Sequence, residues 1–157
     1  MKKIIIFFSL LLICVAAISQ KRYTDSLLDV ISNSLDADTR LETARFYTWA
    51  YVTKGSDSLV YCGEQMLKIG ESKNYPDMIS YGKSFMGYGY SQHGQMYKGL
   101  QYNIEALKLA EQVSNKLLYA YITNMYGLIY SGSNAQKSQH YYMRSLGFLE
   151  GDDRKAA

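Results

Sequence analysis

Three stretches of this chain recur at a nearly constant interval, and that period constrains the fold more than any single motif does. Ser84-Phe85-Met86-Gly87-Tyr88-Gly89-Tyr90 matches Asn124-Met125-Tyr126-Gly127-Leu128-Ile129-Tyr130, which sets Gly87 and Gly127 about 40 residues apart, within the range of known helical repeats. Ala106-Leu107 has a counterpart in Ser145-Leu146 one such interval later and in Met66-Leu67 one interval earlier. A period of this length signifies stacked supersecondary units, each unable to bury its apolar face alone.

The units read as helical. With 48% apolar residues and a single proline, Pro76, the chain has few breakers. Its 16 tyrosines would suit strands. However, Tyr81, Met86 with Tyr90, and Tyr119 with Met125 and Tyr130 are separated by about three, four or their sums rather than two. Punctuation predicts helices over Asp25 to Leu35, Arg40 to Thr53, Leu59 to Lys73, Pro76 to Ser91, Met96 to Val113, Lys116 to Ser131 and Ala135 to Leu149. The first carries Leu27, Leu28, Val30, Ile31 and Leu35 as an apolar stripe. Lys54-Gly55-Ser56-Asp57-Ser58, His93-Gly94-Gln95 and Gly132-Ser133-Asn134 are turns, so neighbouring helices run antiparallel.

The repeated positions resemble the tetratricopeptide repeat (TPR) family, in which a large residue, Gly or Ala and a later aromatic mark one helix and small residues mark its partner. Met86-Gly87, Tyr90, Gly94, Gly99 and Ala106 follow that pattern in one unit, and Gly127, Tyr130, Ser138, Tyr142 and Ser145 follow it in the next. An earlier unit with Trp49, Tyr51, Tyr61 and Met66-Leu67 keeps the outline, but Leu59 and Met66 stand where small residues are expected, which implies looser helix contacts there. The resemblance implies an all-α chain, an α-solenoid of antiparallel helix pairs. Residues 38–150 hold about three repeats, a leader or capping helix occupies 20–37, and 151–157 begins a further, incomplete repeat. The long period also resembles the exported repeat regions of bacterial TPR-containing sensor histidine kinases and LuxR-like regulators.

The N-terminus supports export. Lys2 and Lys3 precede an apolar run from Ile4 to Ile18 broken only by Ser9, and Ala17-Ile18-Ser19 supplies a cleavage signal. The expected signal peptide is residues 1–19, leaving Gln20 first and placing the chain in the periplasm or outside the cell. The run is short of the roughly 20 residues of a stable span, so no membrane span remains after cleavage, whereas an uncleaved signal would tether the chain as an anchor. Cys14 follows the bulky Ile13, which disfavours a lipidation signal. Without residues 1–19 the basic and acidic side chains nearly balance, which gives no support for nucleic-acid binding. Cys62 is then the single thiol, so stability rests on packing and no internal disulfide is expected.

No catalytic constellation is expected, and no metal or cofactor. His93 and His140 are distant in sequence with no local ligand spacing, Cys62 lies within a helix, and Asp36/Asp38 and Asp152/Asp153 sit at helix junctions suited to capping. Gly87-Tyr88-Gly89 and Gly94 lie between helices, whereas a phosphate loop follows a strand. The chain is expected to be non-enzymatic. By the resemblance, first helices line a concave groove in which Tyr81, Ser84 and Tyr88 lie beside Tyr121, Asn124 and Leu128. That groove is expected to bind a protein or peptide, as the sensor part of a signal-transduction protein. The competing expectation is an assembly module: Tyr142, Leu146 and Leu149 would lie open on the last helix for another copy or a following signalling domain, with truncation as the simplest reason.

Overall fold

The computed structural model describes the backbone of residues 2–52 and 54–151 and the side chains of residues 18–52 and 54–151. Among the described residues the chain is all helical, with α1 (Lys2–Asn33), α2 (Ala37–Val52), α3 (Ser56–Lys73), α4 (Pro76–Gln92), α5 (Met96–Val113), α6 (Lys116–Tyr130) and α7 (Ala135–Glu150). The side chains that define the expected signal segment fall largely outside the described residues, as do 152–157 of the expected incomplete repeat. Among the described residues no helix is long and apolar enough to cross a membrane.

Local chemistry explains the boundaries. Asp36 accepts from the Thr39 amide at 2.8 Å and the Thr39 hydroxyl at 2.6 Å, so α2 begins at Ala37 and not at Arg40. The helix before it stops at Asn33 and leaves Leu35 90% exposed, outside the stripe expected to contain it. Val30 is exposed as well, whereas Ile31 is buried and Leu27 and Leu28 pack on the core. Asn115 and Asn134 cap α6 and α7 by accepting from the Leu118 and Lys137 amides, each at 2.9 Å. Pro76 opens α4, where its missing N–H costs nothing. Asn74, Ser114 and Gly151 end α3, α5 and α7 in the left-handed conformation, the same terminator at the same place in successive units.

The two clearest units are built alike down to individual hydrogen bonds. In one, the Ser80 hydroxyl of α4 donates to the Ala106 carbonyl of α5 at 2.6 Å. At the matching positions one repeat later, the Ser145 hydroxyl of α7 donates to the Ala120 carbonyl of α6 at 2.8 Å. The contact is kept while donor and acceptor exchange helices. Tyr90 packs on Tyr102 with ring centroids 5.3 Å apart, under the ammonium of Lys98 at 3.5 Å. Tyr130, Tyr141 and Lys137 repeat that cluster at 5.7 Å and 5.0 Å. Gly87 opposes Gly99, where a Cβ on either residue would stand less than 3 Å from the other's carbonyl oxygen. The matching pair is Gly127 and Ser138, whose hydroxyl donates to the Gly127 carbonyl at 2.9 Å.

The earlier unit differs as its side chains require. Tyr47 and Leu59, both buried, stand at the register of Gly87 and Gly99 and keep α2 and α3 apart. Tyr47 packs on Tyr51, and Tyr51 reaches Tyr61, with ring centroids 5.2 Å and 5.9 Å apart. Helix α3 turns its small residues the other way, toward α4, where Gly63 and Gly82 meet. The core runs continuously from Ile31 and Leu41 through Met66, Met78 and Tyr81 to Leu118, Ile122 and Tyr126.

Burial has a consequence at high pH. It pushes the Cys62 thiol up to about 12 and raises the hydroxyls of Tyr47, Tyr81, Tyr121 and Tyr126 above the ordinary tyrosine value. The folded chain holds these protons where the unfolded chain releases them. Their contribution is therefore complete below the unfolded thiol value near pH 8.5 and declines as pH rises toward 12. The urea midpoint is expected to be lower near pH 11 than near pH 8, and Cys62 should resist alkylation at the lower pH until the chain unfolds. An unchanged midpoint, or a Cys62 that reacts in the folded state, would contradict this.

Candidate functional site

The first helices of the three units, α2, α4 and α6, come together on one side of the molecule, with α7 alongside α6. They line an open cavity of about 520 Å³. Helix α2 contributes Arg45, Thr48, Trp49 and Val52, and α4 contributes Tyr81, Phe85 and Tyr88. The remaining wall comes from Tyr121, Asn124, Met125 and Leu128 of α6 with Tyr142, Ser145, Leu146 and Leu149 of α7. Most of that surface is aromatic or aliphatic, the usual character of a pocket for a small ligand or for anchor side chains of a partner.

Contacts between residues far apart in sequence tie α2 to α6 on one flank of the cavity. The Tyr121 hydroxyl donates to Glu42 Oε1 at 2.9 Å, and the Asn115 amide donates to Asp38 Oδ1 at 2.7 Å. The other oxygen of Glu42 accepts from Arg45 Nε at 3.0 Å, so Arg45, the one charged side chain among the described residues of the lining, is paired. Tyr81 forms part of the floor, 1% exposed, its ring edge-on to Tyr121 at 5.8 Å and its hydroxyl 3.1 Å from Thr48 Oγ1. Burial raises both hydroxyls above the ordinary tyrosine value, and the Glu42 carboxylate raises that of Tyr121 further, so both stay protonated as hydrogen-bonding groups. Tyr88, Asn124 and Leu128 are half-buried along the wall. Trp49 is 75% exposed and Leu149 56%, giving the rim an apolar character.

Five of the six residues expected to share a groove, Tyr81, Tyr88, Tyr121, Asn124 and Leu128, do line this cavity. Ser84 is elsewhere. It is buried against α5, where its hydroxyl donates to Asn103 Oδ1 at 2.8 Å. The reason is the close approach of Gly87 and Gly99, which draws Asn103 into the α4–α5 contact and leaves its carbonyl oxygen in need of a donor. The packing residues Gly87, Tyr90, Gly99, Ala106, Gly127, Tyr130, Ser138 and Ser145 all lie at contacts between paired helices, while Gly94 holds a turn at φ +78°. Tyr142 lies against Gly127 and also faces the cavity.

Sequence reasoning missed the contribution of α2, although the signal was available. Counting back one repeat from Phe85 and Tyr88 gives Arg45 and Thr48, both in the wall. The substitution of Tyr47 for glycine concealed that register. Tyr142, Leu146 and Leu149, expected to lie open on the last helix, form the α7 side of the same cavity. His93 lies 2.8 Å from Asp57 at a surface turn, and His140 is exposed beside Tyr141. Among the described residues no three His, Cys, Asp or Glu side chains gather as a metal site. No family model, no curated protein and no solved structure matches the chain.

Proposed function

We propose that this chain is an exported, TPR-like α-solenoid that binds a protein or peptide partner in the cavity between α2, α4 and α6, without catalysing a reaction. The observation that carries the reading is that aromatic and aliphatic side chains from three repeat-related helices converge on one open cavity of about 520 Å³. Recognition there would rest on Tyr88, Asn124 and Leu128 along the wall, with Tyr81 and Tyr121 fixed beneath by Thr48 and Glu42. Tyrosine suits that task because it offers a rigid ring with a hydrogen-bonding tip. Export by a signal segment at residues 1–19 and a sensor role in signal transduction belong to the same proposal, on the grounds of the N-terminal pattern and the repeat period.

The test is capture of partners from an extract of exported proteins by the wild-type chain and by Tyr88→Ala and Asn124→Ala. Each substitution is expected to reduce recovery of a specific partner at least about tenfold, with the helical circular dichroism unchanged. Capture insensitive to both changes would overturn the site. The assembly reading is favoured by the exposure of Met143, Leu146 and Leu149 on α7, and it requires concentration-dependent self-association of the full chain.

A further inference from the structure

We infer that the cavity receives a single amphipathic helix of a partner polypeptide, with an uncharged apolar face turned inward; this rests on the partner-binding reading above. The repeat register carries the inference. The α6–α7 wall, with Tyr121, Leu128, Leu146 and Leu149, corresponds position for position to Tyr81, Tyr88, Leu107 and Ala110 of α4 and α5. The α5 part of that earlier surface is covered by a helix, α6, which buries Leu118 and Ile122 in the same core as Ala110, with Leu107 packed on it, while Tyr81 and Tyr88 border the cavity itself. The later surface is continuous with that interface and built on the same plan, yet Leu146 and Leu149 remain 45% and 56% exposed. Across the cavity, α2 presents Trp49.

The polar groups of the wall favour a helix over an extended segment. Thr48 is engaged with Tyr81 and with the Ala44 and Arg45 carbonyls, and Ser145 with the Ala120 carbonyl. Arg45 and Tyr121 are both held by Glu42, which leaves Tyr88, Asn124 and Tyr142 as the polar side chains of the described wall offered to a partner, too few for the backbone of an extended segment. An extended strand would bring a row of backbone N–H and C=O groups with few partners, whereas a helix satisfies its own. With Arg45 paired to Glu42, the described residues of the wall present no net charge to answer, so the docked face is uncharged.

Trp49 is the chain's single tryptophan and reports directly on the cavity. The full chain is titrated with a soluble Ala/Glu/Lys peptide of about five turns that carries α6's buried Leu118, Ile122, Met125 and Ile129 at their own spacing. A second peptide of matched composition has a central proline that breaks the helix. The expected result is a saturable blue shift of Trp49 emission with the helical peptide alone, accompanied by a gain in peptide helicity. Leu146→Asp and Leu149→Asp, both at exposed positions, should each weaken it at least about tenfold. Equal binding of the proline peptide would overturn the helix while leaving the partner-binding reading in place. Absence of any shift would overturn it too, as would a shift that appears on concentrating the chain without peptide, which would assign the cavity to a second copy. The partner-binding reading falls separately, if capture ignores Tyr88→Ala and Asn124→Ala.

Discussion

Asp77→Ala is expected to destabilise the fold by about 3–5 kcal/mol, the largest effect of any single change discussed here. The Asp77 and Arg40 side chains are only 2% and 7% exposed and meet through two parallel hydrogen bonds, each 2.9 Å. The Arg40 guanidinium also donates to the Ser34 carbonyl at 2.9 Å and lies 4.0 Å over the Tyr75 ring. One cation thus joins the α1–α2 junction to the start of α4. Removing Asp77 leaves that cation buried with no carboxylate, and so large a penalty rivals a typical domain's whole stability margin. Replacing both members, Arg40→Met with Asp77→Leu, should recover most of the loss, because an apolar pair needs no charge compensation. Urea midpoints of the single and double variants check this. A single variant within about 1 kcal/mol of wild type would show that the pair behaves as a solvent-exposed one.

Gly82→Ala is the second large effect, and its sign runs against helix propensity. In an open helix the change would stabilise by about 1 kcal/mol. Here the added methyl would stand 2.6 Å from the Gly63 carbonyl oxygen and 2.7 Å from the Leu67 amide nitrogen, both backbone atoms of α3. Rotamer changes cannot relieve such a clash, so α3 and α4 must separate. Overpacking of this kind costs about 1–3 kcal/mol, and the net expectation is a loss of about 2 kcal/mol with some loosening of the cavity floor. Thermal unfolding provides the check: a variant more stable than wild type would mean that the two helices are not held at this distance.

The fold was legible where local chemistry repeats. Pro76, the Asn115 and Asn134 caps, and the tyrosines and small residues that recur once per unit place the helices and their pairing, because each acts within one turn or on an adjacent helix. The candidate site was only partly legible. The family resemblance implied a groove with Tyr88, Asn124 and Leu128, but not that Ser84 would be drawn toward Asn103 by the Gly87–Gly99 approach. Contacts such as Glu42 with Tyr121, 79 residues apart, depend on how three helices converge, which periodicity within one unit does not specify. The tight α3–α4 contact escaped notice for the opposite reason: Gly63 and Gly82 lie in different units, and comparison of like with like does not pair them.

Photocross-linking from position 88 addresses partner binding most directly. A photoreactive phenylalanine analogue replaces Tyr88 in the cavity wall, and a control places it at Tyr97, 77% exposed and absent from the cavity lining. In cells producing the full chain, position 88 should yield a discrete adduct with a partner protein, absent from position 97 and lost when Asn124→Ala is added. Adducts of equal pattern and yield from both positions, or none from position 88 while position 97 captures a partner, would contradict a binding role for the cavity.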